Sequence, residues 1–382
     1  MGEVMYQFME QHEILEPGSI KLLPKIIQQK NFKRLFLVTG QSSFEQLDQQ
    51  FKISKMLRNW PLVRFSEFET NPKLADIKKG IDIFRQTQAE TVIAIGGGSV
   101  MDVAKAINFL AVQEVDPEVY LTSNVNPKHR GLPLIAVPTT SGSGSEATRF
   151  AVVYIDKVKY SLSHDWILPE YAIIDPGLTH NLPPKLTAVT GFDALSQAIE
   201  AYWSVNSTSE SKKYSREAIK LILQHLEETV NRPRHSDRTA MSKAAHLAGK
   251  AINIALTTAC HAISYPITSY FGIPHGHAVA LTLGRMLVYN SRVTKDDIND
   301  ARGVAYVKNV ISDLVKQLGS KSPPGAARKI SALMESCGLE CSLSELKIDN
   351  QGIETVVKNG FNPGRMKNNP RMVTETALRK IL

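Results

Sequence analysis

Along the first half of the chain, short runs of consecutive apolar residues alternate with longer stretches in which apolar residues recur every three to four positions. Residues 35–39, 91–95 and 134–137 are the short runs, and the continuous apolar character of 91–95 and 134–137 is that of strands covered on both faces; residues 63–68 are a further strand candidate. Between them, 72–87 and 100–110 carry helical periodicity. This alternation predicts a mainly parallel α/β sheet with right-handed crossovers. Residues 150–155 and 158–162 read as a β-hairpin or extended pair across Asp156-Lys157, and 171–174 as a closing strand. Beyond Asp175-Pro176 the strand signals nearly vanish. Helical patterns follow from Pro183 to about Trp203, then over 209–230, 238–255, 277–289, 303–318, 324–337 and 373–382. The expected organisation is an α/β domain over 1–177 and an all-helical domain over 178–382.

A chain of 382 residues, 43% of them hydrophobic, has length for two or three domains with sizeable cores. Cys260, Cys337 and Cys341 cannot build a disulfide framework, which suits a reducing cytosol. The C-x3-C pair lacks a second pair nearby, so thiolate zinc is not expected. The first ten residues, MGEVMYQFME, are too polar and acidic for a secretory signal, and no apolar run reaches transmembrane length. A cytoplasmic protein without a membrane partner is expected. The net charge of +8 is scattered among acids. A solvated surface is the plain interpretation, a pocket for an anionic substrate comes second, and nucleic acid is a distant third.

Two glycine-rich loops change the picture. Gly96-Gly97-Gly98-Ser99 follows one buried run at once and opens a helical pattern containing Asp102. Such a turn lets a phosphate approach the backbone, beside the free N–H groups of a helix N-terminus. It is not the G-x-G-x-x-G fingerprint, and glycines also make plain tight turns. Pro138-Thr139-Thr140-Ser141-Gly142-Ser143-Gly144-Ser145-Glu146 is the second loop, rich in hydroxyls. A third feature lies in the helical half. Asp193 faces into an apolar helical pattern, and His261 and His275 bracket an apolar segment ending in Gly-Ile-Pro-His-Gly. One carboxylate with two imidazoles suits Fe(II) or Zn(II), although lone histidines in apolar runs are more often satisfied core residues.

Together these motifs resemble the iron-containing (group III) alcohol dehydrogenases, whose fold is related to that of glycerol dehydrogenase and dehydroquinate synthase. The resemblance spans nearly the whole chain, through Asn71-Pro72, GGGSVMDVAK (96–105), PTTSGSGSEAT (138–148), D-P-x-L (175–178), GFDAL (191–195) and the His261/Pro266/His275 segment. It implies an N-terminal dinucleotide-binding domain, an all-α C-terminal domain and a divalent metal. Gly40, Gln41, Ser42, Asn71, Gly96, Gly97, Gly98, Ser99, Asp102, Thr139, Thr140, Ser143 and Ser145 would then bind NADH or NADPH. Asp193, His261 and His275 match three metal ligands, and Gln197 stands where the family has a further histidine. An amide oxygen ligates a borderline ion more weakly than imidazole. Tyr265 replaces another frequent histidine, and His277 is an extra one; both are candidates for handling the proton.

The implied reaction is hydride transfer between nicotinamide and a carbonyl/alcohol pair. GFDALSQAIEAYWSVNST, HAISYP, PHGHAVAL and FNPGRMKNNPR (361–371) further resemble the phosphonoacetaldehyde reductase branch. A phosphonate wants Arg and Lys donors, and Arg149, Arg365, Lys367 and Arg371 are the candidates. Many family members have V-T-D where this chain has Val38-Thr39-Gly40. Losing that carboxylate removes repulsion of a 2′-phosphate, so NADPH is expected to be accepted alongside NADH. A short-chain alcohol, lactaldehyde or butanol-type enzyme on the same fold is the alternative; a dehydroquinate-synthase-like lyase or a non-catalytic nucleotide-binding protein fits less well. The resemblance also implies a homodimer.

Overall fold

The computed structural model describes residues 11–123, 125–156, 158–361 and 363–382. Its contacts divide the chain into two units, one running to Thr140 and continuing over Ser145–Thr179, the other made of Ser141–Gly144 and His180–Leu382. The first ten residues, and Lys157 of the expected hairpin turn, lie outside the described residues.

In the first unit the elements are β1 (His12–Leu15), α1 (Leu23–Gln29), β2 (Leu35–Thr39), α2 (Ser42–Phe51), α3 (Ile53–Leu57), β3 (Leu62–Phe65), α4 (Leu74–Thr87), β4 (Thr91–Gly96), α5 (Gly98–Leu110), α6 (Pro117–Thr122), β5 (Leu134–Pro138), β6 (Phe150–Ile155), β7 (Val158–Ser163) and β8 (Tyr171–Ile174). Six strands form a parallel sheet in the order β1-β8-β5-β4-β2-β3, and β6 and β7 pair as an antiparallel hairpin. Alternate strand residues serve opposite cores. Phe36, Val38, Val92, Ala94, Leu134 and Ala136 pack with α4 and α5. Leu35, Leu37, Ile93, Ile95, Ile135 and Val137 pack with α1, α2 and α3. Coverage on both faces is why these strands read as unbroken apolar runs.

The chain leaves β2 toward β3 on one side and β4 toward β5 on the other, with α2 and α5 on opposite faces. A crevice therefore opens at the carboxyl ends of β2 and β4, where open α/β sheets bind their ligands.

The second unit contains α7 (Pro184–Trp203), α8 (Ser209–Asn231), α9 (His235–Ala255), α10 (Ala259–Phe271), α11 (His275–Asn290), α12 (Val304–Gln317), α13 (Pro323–Ser336), α14 (Asn350–Gly360), α15 (Pro363–Met366) and α16 (Glu375–Ile381). Its core is built around α7, whose residues from Gly191 to Trp203 are all buried. None of the described helices is long and apolar enough to cross a membrane.

The expected α/β unit followed by a helical one is what the structure contains; the differences are local. The third strand stops at Phe65, and Phe68 instead lays its ring 5.8 Å from that of Phe65. The short edge strand β1 and the helices α1, α2, α3, α6, α10, α14 and α15 were not anticipated. β1 has no buried position, so its HEIL sequence carries no apolar run. α10 carries Pro266 in its interior, where proline normally ends a helix.

Candidate active site

Asp193, Gln197 and Glu200 sit at i, i+4 and i+7 on α7, so they form one polar stripe on an otherwise apolar buried helix. α10 brings His261 to this stripe, and the first residue of α11 brings His275. Gly276 permits the approach of α11: a Cβ there would stand 2.1 Å from the Val189 carbonyl oxygen and 2.8 Å from Asp193 Cβ. The result is a three-residue cluster. One ligating atom each from Asp193, His261 and His275 lies within 4.8 Å of the others. His261 Nε2 is 3.6 Å from Asp193 Oδ1, and His275 Nε2 is 3.9 Å from the same oxygen.

Hydrogen bonds fix which nitrogen each ring presents. Glu200 is fully buried and accepts from Thr258 Oγ1 at 2.7 Å and the Cys260 N–H at 2.7 Å. Its other oxygen takes the His261 Nδ1 proton. Burial opposes charge on both partners, yet their mutual attraction prevails: the Glu200 carboxyl is held below its ordinary range and the His261 imidazole above it. His275 Nδ1 lies 3.3 Å from Ser264 Oγ, whose single hydrogen goes to the His261 carbonyl at 2.8 Å. Ser264 must therefore accept from His275. In each ring Nδ1 is thus engaged and Nε2 is the nitrogen turned toward Asp193, the arrangement in which Nε2 is left to a metal once it is deprotonated.

These residues fit a divalent ion. His261 Nε2 and Gln197 Oε1 are buried and have no hydrogen-bond partner among the described residues. Gln197 Nε2 donates to the Ser143 carbonyl at 3.1 Å, so the amide oxygen is the atom left for a cation. Gln197→His is expected to raise Fe(II) or Zn(II) affinity by about tenfold or more, measured by competition with a chelator. An unchanged dissociation constant would show that position 197 does not address the ion.

Around the cluster, Tyr265 lies nearly parallel to His275 with ring centroids 6.0 Å apart, and burial pushes its hydroxyl up to about 12. The Arg365 guanidinium sits 5.4 Å from the Tyr265 ring centre and donates to Thr257 Oγ1. The other basic candidates make contacts of their own. Arg149 pairs with Asp165 at 2.5 Å, and Arg371 pairs with Asp297 at 2.8 Å and covers Tyr289. Lys367 is exposed. His277 is buried and lies 2.7 Å from the Glu340 carbonyl through Nε2, outside the ligand cluster.

In the first unit the expected nucleotide residues gather at the carboxyl edge of the sheet. Gly40 follows β2, Gln41 is the N-cap residue of α2 and Ser42 begins it. Gly96 ends β4, Gly97 precedes α5, and Gly98 and Ser99 begin that helix. Thr139 and Thr140 follow β5, and a Cβ on Gly97 would meet Thr140 Cγ2 at 3.3 Å. Asn71 holds a left-handed conformation (φ 62°) ahead of α4. Neither α2 nor α5 has a side-chain cap, so their first N–H groups face the crevice side without one. Ser145 donates to Asp102 at 3.0 Å, while Ser143 belongs to the second unit, where its carbonyl holds Gln197.

Three residues went unassigned in the sequence. Lys105 is buried and donates to the Ser145, Thr148 and Phe150 carbonyls at 2.5–2.9 Å, pinning the second loop against α5. Glu200 orients His261. Arg64, on β3, reaches the end of β2.

The sequence matches the iron-containing alcohol dehydrogenase family over residues 11–176 and the C-terminal region of the Fe-containing alcohol dehydrogenase family over 187–382. It is 36% identical over 310 residues to a phosphonoacetaldehyde reductase of Streptomyces viridochromogenes, covering 78% of this chain and 76% of that protein. The fold superposes on sulfoacetaldehyde reductase from Bifidobacterium kashiwanohense in complex with NAD+ with a TM-score of 0.86, at 29% identity and 97% and 96% coverage. An iron-containing alcohol dehydrogenase from Thermotoga maritima gives 0.82 at 28% identity, covering 98% and 97%.

Proposed function

The chain belongs to the iron-containing alcohol dehydrogenase family and is an oxidoreductase, and from that premise we propose that it reduces a small anionic aldehyde to the primary alcohol with NADH or NADPH and a divalent metal. Phosphonoacetaldehyde, giving 2-hydroxyethylphosphonate, is the substrate proposed first. The carrying observation is the convergence of Asp193 Oδ1, His261 Nε2 and His275 Nε2, with Nδ1 of both rings engaged by other residues.

Asp193, His261 and His275 would hold the ion, Fe(II) or Zn(II), with Gln197 Oε1 as a weaker fourth donor. When bound, the metal supplies Lewis acidity toward a carbonyl oxygen and the nicotinamide supplies hydride. The chain's own residues bind and orient. Glu200 and Ser264 keep the ring nitrogens aimed. Tyr265 carries a hydroxyl proton beside His275 and is the favoured proton donor; His277 is committed to the Glu340 carbonyl. Gly96–Ser99, with the N-terminus of α5, would receive the cofactor's phosphates. Arg365 lies against Tyr265, the residue beside His275, and would anchor the substrate's anion.

A cofactor-oxidation assay against charged and neutral aldehydes, with and without added metals, tests this reading. Absence of metal-dependent turnover on every aldehyde would overturn it. Arg365→Met is expected to raise KM for phosphonoacetaldehyde about 10- to 100-fold, the range for losing a hydrogen bond to a charged group. KM for a neutral aldehyde of similar length should move about twofold or less. Equal changes would make Arg365 a packing residue.

A further inference from the structure

The end of β2 carries a cation that the family resemblance did not supply. Arg64 lies on β3, opposite Leu37 in the parallel register, with its side chain exposed. Its Nε donates to Thr39 Oγ1 at 2.8 Å, and Nη2 donates to the Gly40 carbonyl at 2.9 Å. The guanidinium also covers the Phe44 ring, 4.6 Å from its centre. It is thereby locked at the tip of β2, and among the described residues no carboxylate pairs with it. Nη1 keeps two N–H groups that no described residue accepts. Gly40 beside it has no side chain, Ser42 and Ser43 are exposed hydroxyls, and α2 begins here without a side-chain cap.

This is the corner of an α/β dinucleotide fold where the adenosine ribose lies and where an acidic residue ordinarily takes its 2′-hydroxyl. Here the acid is missing and a fixed guanidinium stands in its neighbourhood. We propose that Arg64 is a specificity-determining residue that binds the 2′-phosphate of NADP(H), so that the enzyme favours the phosphorylated cofactor. The proposal rests on the reading of the first unit as the dinucleotide-binding one. Missing repulsion at Gly40 accounts only for tolerance of NADPH; a positioned, unpaired guanidinium supplies attraction.

The test is equilibrium binding of NADPH and NADH to the metal-loaded full chain, followed by fluorescence or calorimetry, together with kcat/KM for each cofactor. Arg64→Gln is expected to weaken NADPH binding about 10- to 100-fold and leave NADH within about threefold. Gly40→Asp reaches the same site from the other side. A carboxylate there would pair with Arg64 and repel a 2′-phosphate, so NADPH weakens again while NADH holds or tightens. The backbone admits it, because a Cβ at position 40 meets only the movable Ser43 hydroxyl, 2.3 Å away. If Arg64→Gln weakens both cofactors alike, Arg64 merely closes the end of β2 and the proposal fails; an unchanged NADPH affinity overturns it equally. Should Arg64→Gln not fold, Gly40→Asp decides alone: a constant NADPH/NADH ratio rejects the assignment. A wild type that binds neither cofactor removes the dinucleotide reading itself, a result distinguishable from loss of preference.

Discussion

His261→Ala is expected to lose bound metal, to lower kcat/KM by more than about 100-fold, and to unfold at a clearly lower temperature than the wild type. The first two effects follow from removing a ligand, since changes merely next to metal ligands already cost about 10–100-fold. The third follows from Glu200. With the imidazole gone, a fully buried carboxylate keeps only Thr258 Oγ1 and the Cys260 N–H. Leaving one member of a buried ion pair unmatched costs about 3–5 kcal/mol. His275→Ala makes the contrast. Its ring is about one-third exposed and its Nδ1 leans on a serine hydroxyl rather than a carboxylate. That variant should lose metal and activity with much less loss of stability. Metal content by elemental analysis and melting temperature of the metal-free proteins separate the two. Full metal retention in both variants would mean the cluster is structural, and equal melting temperatures would mean Glu200 and His261 are not a stabilising pair.

What the sequence revealed and what it hid have physical reasons. Strands β2, β4 and β5 were legible because burial on both faces demands unbroken apolar runs. β1 was not, because an edge strand of HEIL covers little core and shows no period. Asp193, His261 and His275 were legible as chemistry because each interrupts an apolar pattern. Glu200 interrupts one too, seven residues after Asp193 on the same helix face, but one buried acid in a sequence names no partner; only the packing of α10 on α7 shows that it holds His261. The basic residues near the C-terminus show that closeness in sequence does not fix what a side chain touches. Arg365 and Arg371 lie six residues apart, yet one covers Tyr265 and the other joins Asp297 and Tyr289. Arg64 was hidden because strand register, not sequence distance, carries it to Gly40.

Glu200→Gln should weaken metal binding about 10- to 100-fold while preserving the fold, and the reason lies in proton placement rather than size. The Cys260 N–H is a fixed donor and the Thr258 hydroxyl donates to the same carboxylate oxygen, having taken the Trp203 indole N–H at 2.9 Å as acceptor. A glutamine must turn its carbonyl oxygen toward these two donors. Its NH2 then faces His261 Nδ1, where the carboxylate had accepted a proton. The ring can satisfy that donor only by moving its own hydrogen to Nε2, the atom that faces Asp193. A proton then occupies the position the ion needs, and binding must first reverse the tautomer. Ser264→Ala removes the corresponding support from His275, but supplies no opposing donor, so its effect should be smaller. Chelator competition gives the affinities, and nitrogen NMR of the imidazoles reports which atom carries the hydrogen. Wild-type affinity in Glu200→Gln, or an Nδ1–H tautomer persisting in its spectrum, would show that Glu200 stabilises the helix pair without setting the ligand. If the tautomer flips and affinity falls, the carboxylate buried seven residues from Asp193 is what makes His261 a ligand.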